Sequence, residues 1–396
     1  MKPRLAIVRG HFFSKEETQM FESLTDEFDI TFFASTGNRD HSDISFPVVE
    51  LPCLDKILDS LSFGAFGKIY GLVGNLTGVD PEFVLGLRDR LRGFDVVHTI
   101  DYNYLITYQL AKLKDKLGFK LVAVHWDNIP FARDRQPIAR HVKYRVYDEV
   151  DGFFAMSERA KAALVLEGVD ESRVFVTGYP VDTSRFSPNA SLRNDWRKRY
   201  GIQDDDIVIL FAGRVRASKG VFELVYAAKK LVDDPGIDKR KLKIIIAGKG
   251  PREEELDARI RYLRLEGNVI RIGFIPHSDM HFLYNMADIF CLPSIPRKYW
   301  QEQLGLVFLE AMACKKPVVS TLSGSIPEIV GEAGILVQPN DHIALYEGLR
   351  RLIDDPILRA SLGEKGYLRC LKRFSMPKIS EAMMTNFKSI LSRNDI

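Results

Sequence analysis

The chain has 396 residues, 46% of them hydrophobic and 28% charged, which describes an ordinary folded protein too long for one hydrophobic core. A formal net charge of +3 is too small to argue for nucleic acid, and no stretch approaches the roughly 20 apolar residues of a membrane span. The charge is uneven, with 23 Lys and Arg against 27 Asp and Glu in residues 1–185 but 33 against 26 in residues 186–396; a basic second half suits an anionic ligand, although scattered solvated lysines explain it as well.

Short β-branched runs alternate with longer amphipathic stretches from end to end. In the first half the runs fall at 4–8, 29–34, 47–51, 95–99, 120–126, 152–156 and 174–178. In the second half they fall at 207–213, 243–248, 268–273, 288–293, 317–321 and 334–337. Runs apolar on both faces read as central strands of parallel sheets. Their alternation with helices predicts an α/β chain of two Rossmann-like, doubly wound domains. Pro, Asn and Ser cluster at 178–201, which divides the chain into residues 1–183 and 184–374. A closing helix at 375–396, apolar at Ile379, Met383, Phe387 and Leu391, has helical spacing. Two such domains side by side place a ligand cleft between the carboxyl ends of their strands.

Within the first domain, residues 57–78 are apolar and glycine-rich, with Phe63, Phe66, Ile69, Tyr70 and Leu72. They offer either packing onto that domain or a lip for a lipid-linked or membrane-bound acceptor, a peripheral membrane contact. Their low charge fits packing better. Cys53, Cys291, Cys314 and Cys370 are widely separated, and no CxxC or Cys/His cluster has metal-ligand spacing. Buried thiols in a reducing compartment follow. The opening MKPRLAIVRGHFF has too short an apolar run for a secretory signal. The expectation is a cytoplasmic protein.

The second half carries the chemistry. At 207–213 a buried strand ends on Gly213, then Arg214 and Lys219 precede a helix. Cations at a strand's carboxyl end beside a helix N-terminus make an anion site. A solvated basic loop is the plainer alternative. At 243–256 a strand is followed by Gly248 and Gly250 and an acidic helix start. Glycine there permits close backbone approach to a ligand, or simply a tight turn. In WQEQLGLVFLEAMACKKPVVST a helix starts near residue 304 or 305, so Glu302 lies in the loop before it and Glu310 beyond its first turn. A ligand with hydroxyls and phosphate would use both carboxylates and the amides between them. Alternatively Glu302 is solvated and Glu310 pairs with an Arg or Lys.

Taken together, GRVRASKG (213–220), GKGP (248–251), EQLGLVFLE (302–310), AMACKKPVV (311–319), SGSIPEIV (323–330) and YPVDTSRF (179–186) resemble the retaining glycosyltransferases of the GT-B fold, family 4. The order and spacing match across residues 178–340. The resemblance is weaker over 1–177, where only Gly10 follows the first strand in place of a Gly-Gly loop.

The resemblance implies transfer of a hexosyl group from a nucleoside-diphosphate sugar to a hydroxyl of a carbohydrate or lipid-linked acceptor, with retention and without metal or other cofactor. It implies that Arg214 and Lys219 hold the diphosphate and stabilise the leaving group. Glu302 contacts hydroxyls of the transferred sugar, with amides of Gly305, Leu306 and Val307 on sugar and phosphate. Glu310 binds ribose hydroxyls, and Phe274 and Ile275 line the base pocket. Gly10, Gly213 and Gly248 approach the donor, and His125 contacts the sugar or reaction centre. A lone His after a strand also reads as structural. A sugar-phosphate-acceptor synthase, a glycoside phosphorylase and a non-catalytic nucleotide-sugar-binding protein are the alternatives on the same fold.

Overall fold

In the computed structural model, residues 1–11, 13, 15–36, 44–61 and 66–393 are described. The chain forms two compact units, Met1–Gly178 with Met376–Ile396, and Tyr179–Ser375. The second unit therefore begins five residues earlier than the composition of 178–201 suggests. The segment after Gly178 is tied to that unit by its backbone, Val181 N–H donating to the Phe374 carbonyl at 2.8 Å.

The first unit holds strands β1 (Arg4–Gly10), β2 (Asp29–Ser35), β3 (Val48–Leu51), β4 (Val96–Thr99), β5 (Lys120–His125), β6 (Gly152–Ala155) and β7 (Val174–Val176). All pair in parallel, in the order β3-β2-β1-β4-β5-β6-β7. Leu5, Ala6 and Ile7 are wholly buried, as helices on both faces require of a central strand. The closing helix Met376–Leu391 packs on this unit. Ser380 Oγ donates to the Met20 carbonyl at 2.7 Å, and the Phe387 ring meets Phe28, His98 and Phe154.

Of the apolar stretch at 57–78, Phe63 and the side chain of Phe66 lie outside the described residues. The helix Phe66–Thr77 anchors through Tyr70, whose hydroxyl donates to Asp80 at 2.5 Å. It leaves Ile69, Leu72 and Leu76 at 49%, 58% and 70% exposure, so packing alone does not account for its apolar face. Among the described residues no helix is long and apolar enough to cross a membrane.

The second unit holds β8 (Ile207–Ala212), β9 (Leu242–Ala247), β10 (Val269–Gly273), β11 (Ile289–Leu292), β12 (Val318–Thr321) and β13 (Gly334–Val337). They are again all parallel, in the order β10-β9-β8-β11-β12-β13. Strand order reverses between β8 and β11. Loops leaving their carboxyl ends run to opposite sides there, which opens the crevice where such sheets bind ligands.

Candidate functional site in the second unit

The two loops at this switch point are the ones the sequence singles out. After β8 the chain passes Gly213 and Arg214, makes a short turn at Ala217–Lys219 and enters the helix Val221–Asp233. After β11 it runs through residues 293–305 into the helix Leu306–Ala313, which Gly305 caps. In that first turn the amides have no carbonyl four residues back to bond, so they and the helix dipole face the crevice.

A cavity of about 750 Å³ lies here. Its walls are Ala212–Arg214, Ala247–Gly250, Phe274, Ile275, His277, Met280, Leu306, Val307 and Glu310. Arg214 and Lys249 are exposed cations on it, and Glu310 is its buried carboxylate. Close approach of two strand ends makes the wall. Gly248 has φ +133°, and a Cβ there would stand 2.0 Å from the Gly213 carbonyl oxygen, so only glycine fits. Phe274 is 67% exposed, an aromatic face presented rather than packed.

Both acids are buried and both have internal partners. Tyr284 donates its hydroxyl to Glu310 Oε2 at 2.6 Å, and His277 Nε2 lies 2.8 Å from Oε1. Burial and the Glu310 charge raise the Tyr284 hydroxyl well above its ordinary pKa, so it stays a donor. Glu302 is not solvated. It is 6% exposed and takes Lys219 Nζ at 2.7 and 3.0 Å and the Ser294 hydroxyl at 2.6 Å. The same ammonium lies 4.8 Å from the centroid of the Trp300 ring. Glu310's partners are thus a tyrosine and a histidine rather than an Arg or Lys.

His277, Tyr284, Ser294 and Trp300 were not legible as site residues. They come from the turn after β10, the helix Met280–Met286 and the loop after β11. Only the register of those elements brings the first three to the two glutamates and Trp300 to Lys219. His277 had one available signal, its place two residues after Ile275.

Two expected site residues lie in the first unit. His125, the last residue of β5, is 1% exposed and stacks on Tyr102. Its Nδ1 is 3.4 Å from Asp101 Oδ1. Burial lowers its pKa, but Asp101 and Asp127 outweigh that and raise it. In this state the imidazole is a core group with no surface to offer a sugar. Gly10 ends β1 with φ +55°, where a Cβ would meet the Glu82 carboxylate at 2.2 Å. Its conformation is thus set by packing against Glu82.

The family model described as Glycosyl transferases group 1 matches residues 193–369, and the model for Glycosyltransferase Family 4 matches residues 26–185. An alpha-D-kanosaminyltransferase of Streptomyces kanamyceticus is 26% identical over 66% of this chain and 66% of its own length. A D-inositol 3-phosphate glycosyltransferase of Corynebacterium jeikeium is 30% identical over 73% of this chain and 71% of that protein. This chain belongs to the group 1, family 4 glycosyltransferases. Across the first curated relatives of this family the chain spans from about half to about seven tenths of their length. Among solved structures, Anabaena HepE in complex with UDP superposes with a TM-score of 0.76 at 19% identity, covering 98% of this chain and 100% of that one. The glycosyltransferase therefore shares the GT-B fold, two Rossmann-like sheets of seven and six strands.

Proposed function

We propose that this glycosyltransferase moves a hexosyl group from a nucleoside-diphosphate sugar to a hydroxyl of a carbohydrate or lipid-linked acceptor, with retention at the anomeric carbon. The observation that carries this reading is the cavity at the β8–β11 switch. It sets a cation, a helix N-terminus and a buried carboxylate around one volume of nucleotide size. The solved structure with UDP, and relatives named as sugar transferases, support it.

In this reading Glu310, oriented by Tyr284 and His277, accepts hydrogen bonds from ribose hydroxyls, and the Phe274–Ile275 chain borders the base. The diphosphate lies across the amides of Leu306 and Val307, with Arg214 as a fork and Lys219 as a point charge. Glu302 accepts from hydroxyls of the transferred sugar. The bond from the anomeric carbon to the phosphate oxygen breaks while one to the acceptor oxygen forms on the same face. The acceptor proton passes to the departing phosphate. Negative charge grows on that phosphate in the transition state, where fixed cations and amides stabilise it most. These groups take the part a divalent metal plays elsewhere. His125, shielded by Tyr102, positions the loop after β5 rather than touching sugar. The exposed row on the helix Phe66–Thr77 is the surface for peripheral membrane contact.

Calorimetric titration with UDP, GDP and ADP, each with a chelator present, tests the reading. One of them binds with micromolar or better affinity, and the matching nucleotide sugar is turned over with the anomeric configuration kept. If none binds the folded protein, or if turnover requires added metal or inverts the anomer, the proposal fails at that point.

A further inference from the structure

A second cluster of chemically active side chains lies in the first unit, at the carboxyl ends of β1, β2 and β3. His11 follows β1, Ser35 ends β2, and Cys53 follows β3. Glu82 joins them because the segment around it pairs with the chain after β3. Cys53 and Val84 form an antiparallel bridge, Leu54 N–H donates to the Phe83 carbonyl at 2.9 Å, and Leu85 N–H donates to the Pro52 carbonyl at 2.8 Å.

Glu82 is wholly buried. Its Oε1 accepts the Ser35 hydroxyl at 2.5 Å and the His11 backbone N–H at 2.8 Å. Its Oε2 is buried with no hydrogen-bond partner. A carboxylate oxygen buried without a hydrogen-bond partner carries a desolvation cost that a cation would offset. Around it stand His11 Nδ1, 3.6 Å from Oε1, and Cys53 Sγ, 4.0 Å from the same atom. Cys53 is in no disulfide and is 1% exposed. One ligand atom from each of the three residues lies within 4.8 Å of the others.

We infer that His11, Cys53 and Glu82 form a binding site for a borderline-soft divalent cation of the zinc class. Ligand type selects the metal: imidazole, thiolate and carboxylate together suit zinc and disfavour magnesium or calcium, which take oxygen. Bond lengths of about 2.0–2.3 Å to a tetrahedral centre put ligand atoms roughly 3.3–3.8 Å apart. The cluster, whose ligand atoms lie within 4.8 Å of one another, reaches that by contracting by up to about 1.5 Å. The cation offsets the buried Glu82 charge, and the Cys53 thiol loses its proton to solvent on binding. The His11 side chain is 22% exposed, so a fourth position opens to solvent on its side, as in three-ligand zinc sites. The fit at Gly10, where any side chain would strike Glu82, keeps the carboxylate under the His11 turn. Arg214, Lys219, Glu302 and Glu310 of the donor-site reading all lie in the other unit, so the two proposals stand or fall separately.

The test uses the untagged full chain, stripped with a chelator and then given Zn²⁺ or Co²⁺ alone. The expected result is one equivalent of metal retained through desalting. The cobalt form then shows a thiolate-to-metal charge-transfer band. C53S abolishes that band, and E82Q and H11A each weaken zinc binding at least about tenfold. Circular dichroism of each metal-stripped variant confirms that it is folded, and C53A substitutes for C53S if that variant is not. A folded wild-type chain that retains no stoichiometric metal overturns the proposal. So does cobalt bound without a thiolate band, or a band that survives in the Cys53 variant.

Discussion

Lys219 and Glu302 form an ion pair at 2.7 Å at the switch point of the second sheet, with the glutamate almost wholly buried. Each residue has a role in the proposed reaction, and each is at present the other's partner. A diphosphate arriving at Lys219 therefore competes with Glu302 for one ammonium. The released carboxylate becomes available to sugar hydroxyls only as the phosphate draws the lysine away. In the proposed reaction the pair would therefore couple diphosphate binding at Lys219 to sugar binding at Glu302.

Lys219→Ala is expected to lower turnover by about 10²–10³. It also leaves the Glu302 carboxylate buried without its cation, which costs about 2–3 kcal/mol of stability. The double variant with Glu302→Gln removes the uncompensated charge, so it regains most of the stability and none of the turnover. Urea unfolding and initial rates on the three proteins check this. A double variant as unstable as Lys219→Ala alone would show that the lysine matters for packing, not charge.

Glu310→Gln is expected to weaken the cognate nucleoside diphosphate by roughly tenfold or more, because a charge-assisted bond contributes about 1.5–3 kcal/mol. Tyr284→Phe keeps the carboxylate and removes one of the two groups that orient it, so its loss should be smaller. Calorimetry with the nucleotide that binds wild type ranks the two. Equal affinities for wild type and Glu310→Gln would remove the ribose role.

Gly248→Ala places a methyl against the Gly213 carbonyl in a backbone region that other residues rarely adopt. A cost of about 3 kcal/mol or more is expected, with loss of nucleotide binding as the cavity wall shifts. Denaturant melts and nucleotide titration read the two effects. A variant as stable as wild type would mean that the turn relaxes at little cost.

Burial, with Arg193 nearby, pulls the Lys316 amine from 10.5 down to about 8. Between those values the unfolded chain holds a proton that the folded chain has released. Stability contributed by this group therefore rises with pH through that window. Below pH 8 both states are charged and the burial cost is complete. Lys316→Met is expected to be more stable than wild type at pH 7.5, by roughly 2 kcal/mol, and to lose that advantage by about pH 10.5. Chemical denaturation of both proteins across this range is the measurement, and parallel pH profiles would refute it.

The sequence by itself determined both sheets. Each of the thirteen β-branched runs became a strand, because residues apolar on both faces have no other stable place in a helix-covered parallel layer. It also located Arg214, Lys219, Glu302 and Glu310 on the two loops and the helix at the switch point, because those residues sit at fixed offsets from strand ends. What depended on distant register was decided only in three dimensions. His277 and Tyr284 on Glu310, and Ser294 on Glu302, come from neighbouring loops and helices whose facing no local pattern encodes. The burial of His125 follows from Tyr102 stacking on it from the loop after β4. His11, Cys53 and Glu82 stand far apart along the chain, with no ligand spacing to betray them. Parallel strands ending side by side bring His11 and Cys53 together, and the pairing of the Glu82 segment with the chain after β3 adds the carboxylate; strand order is a property of packing rather than of any one segment.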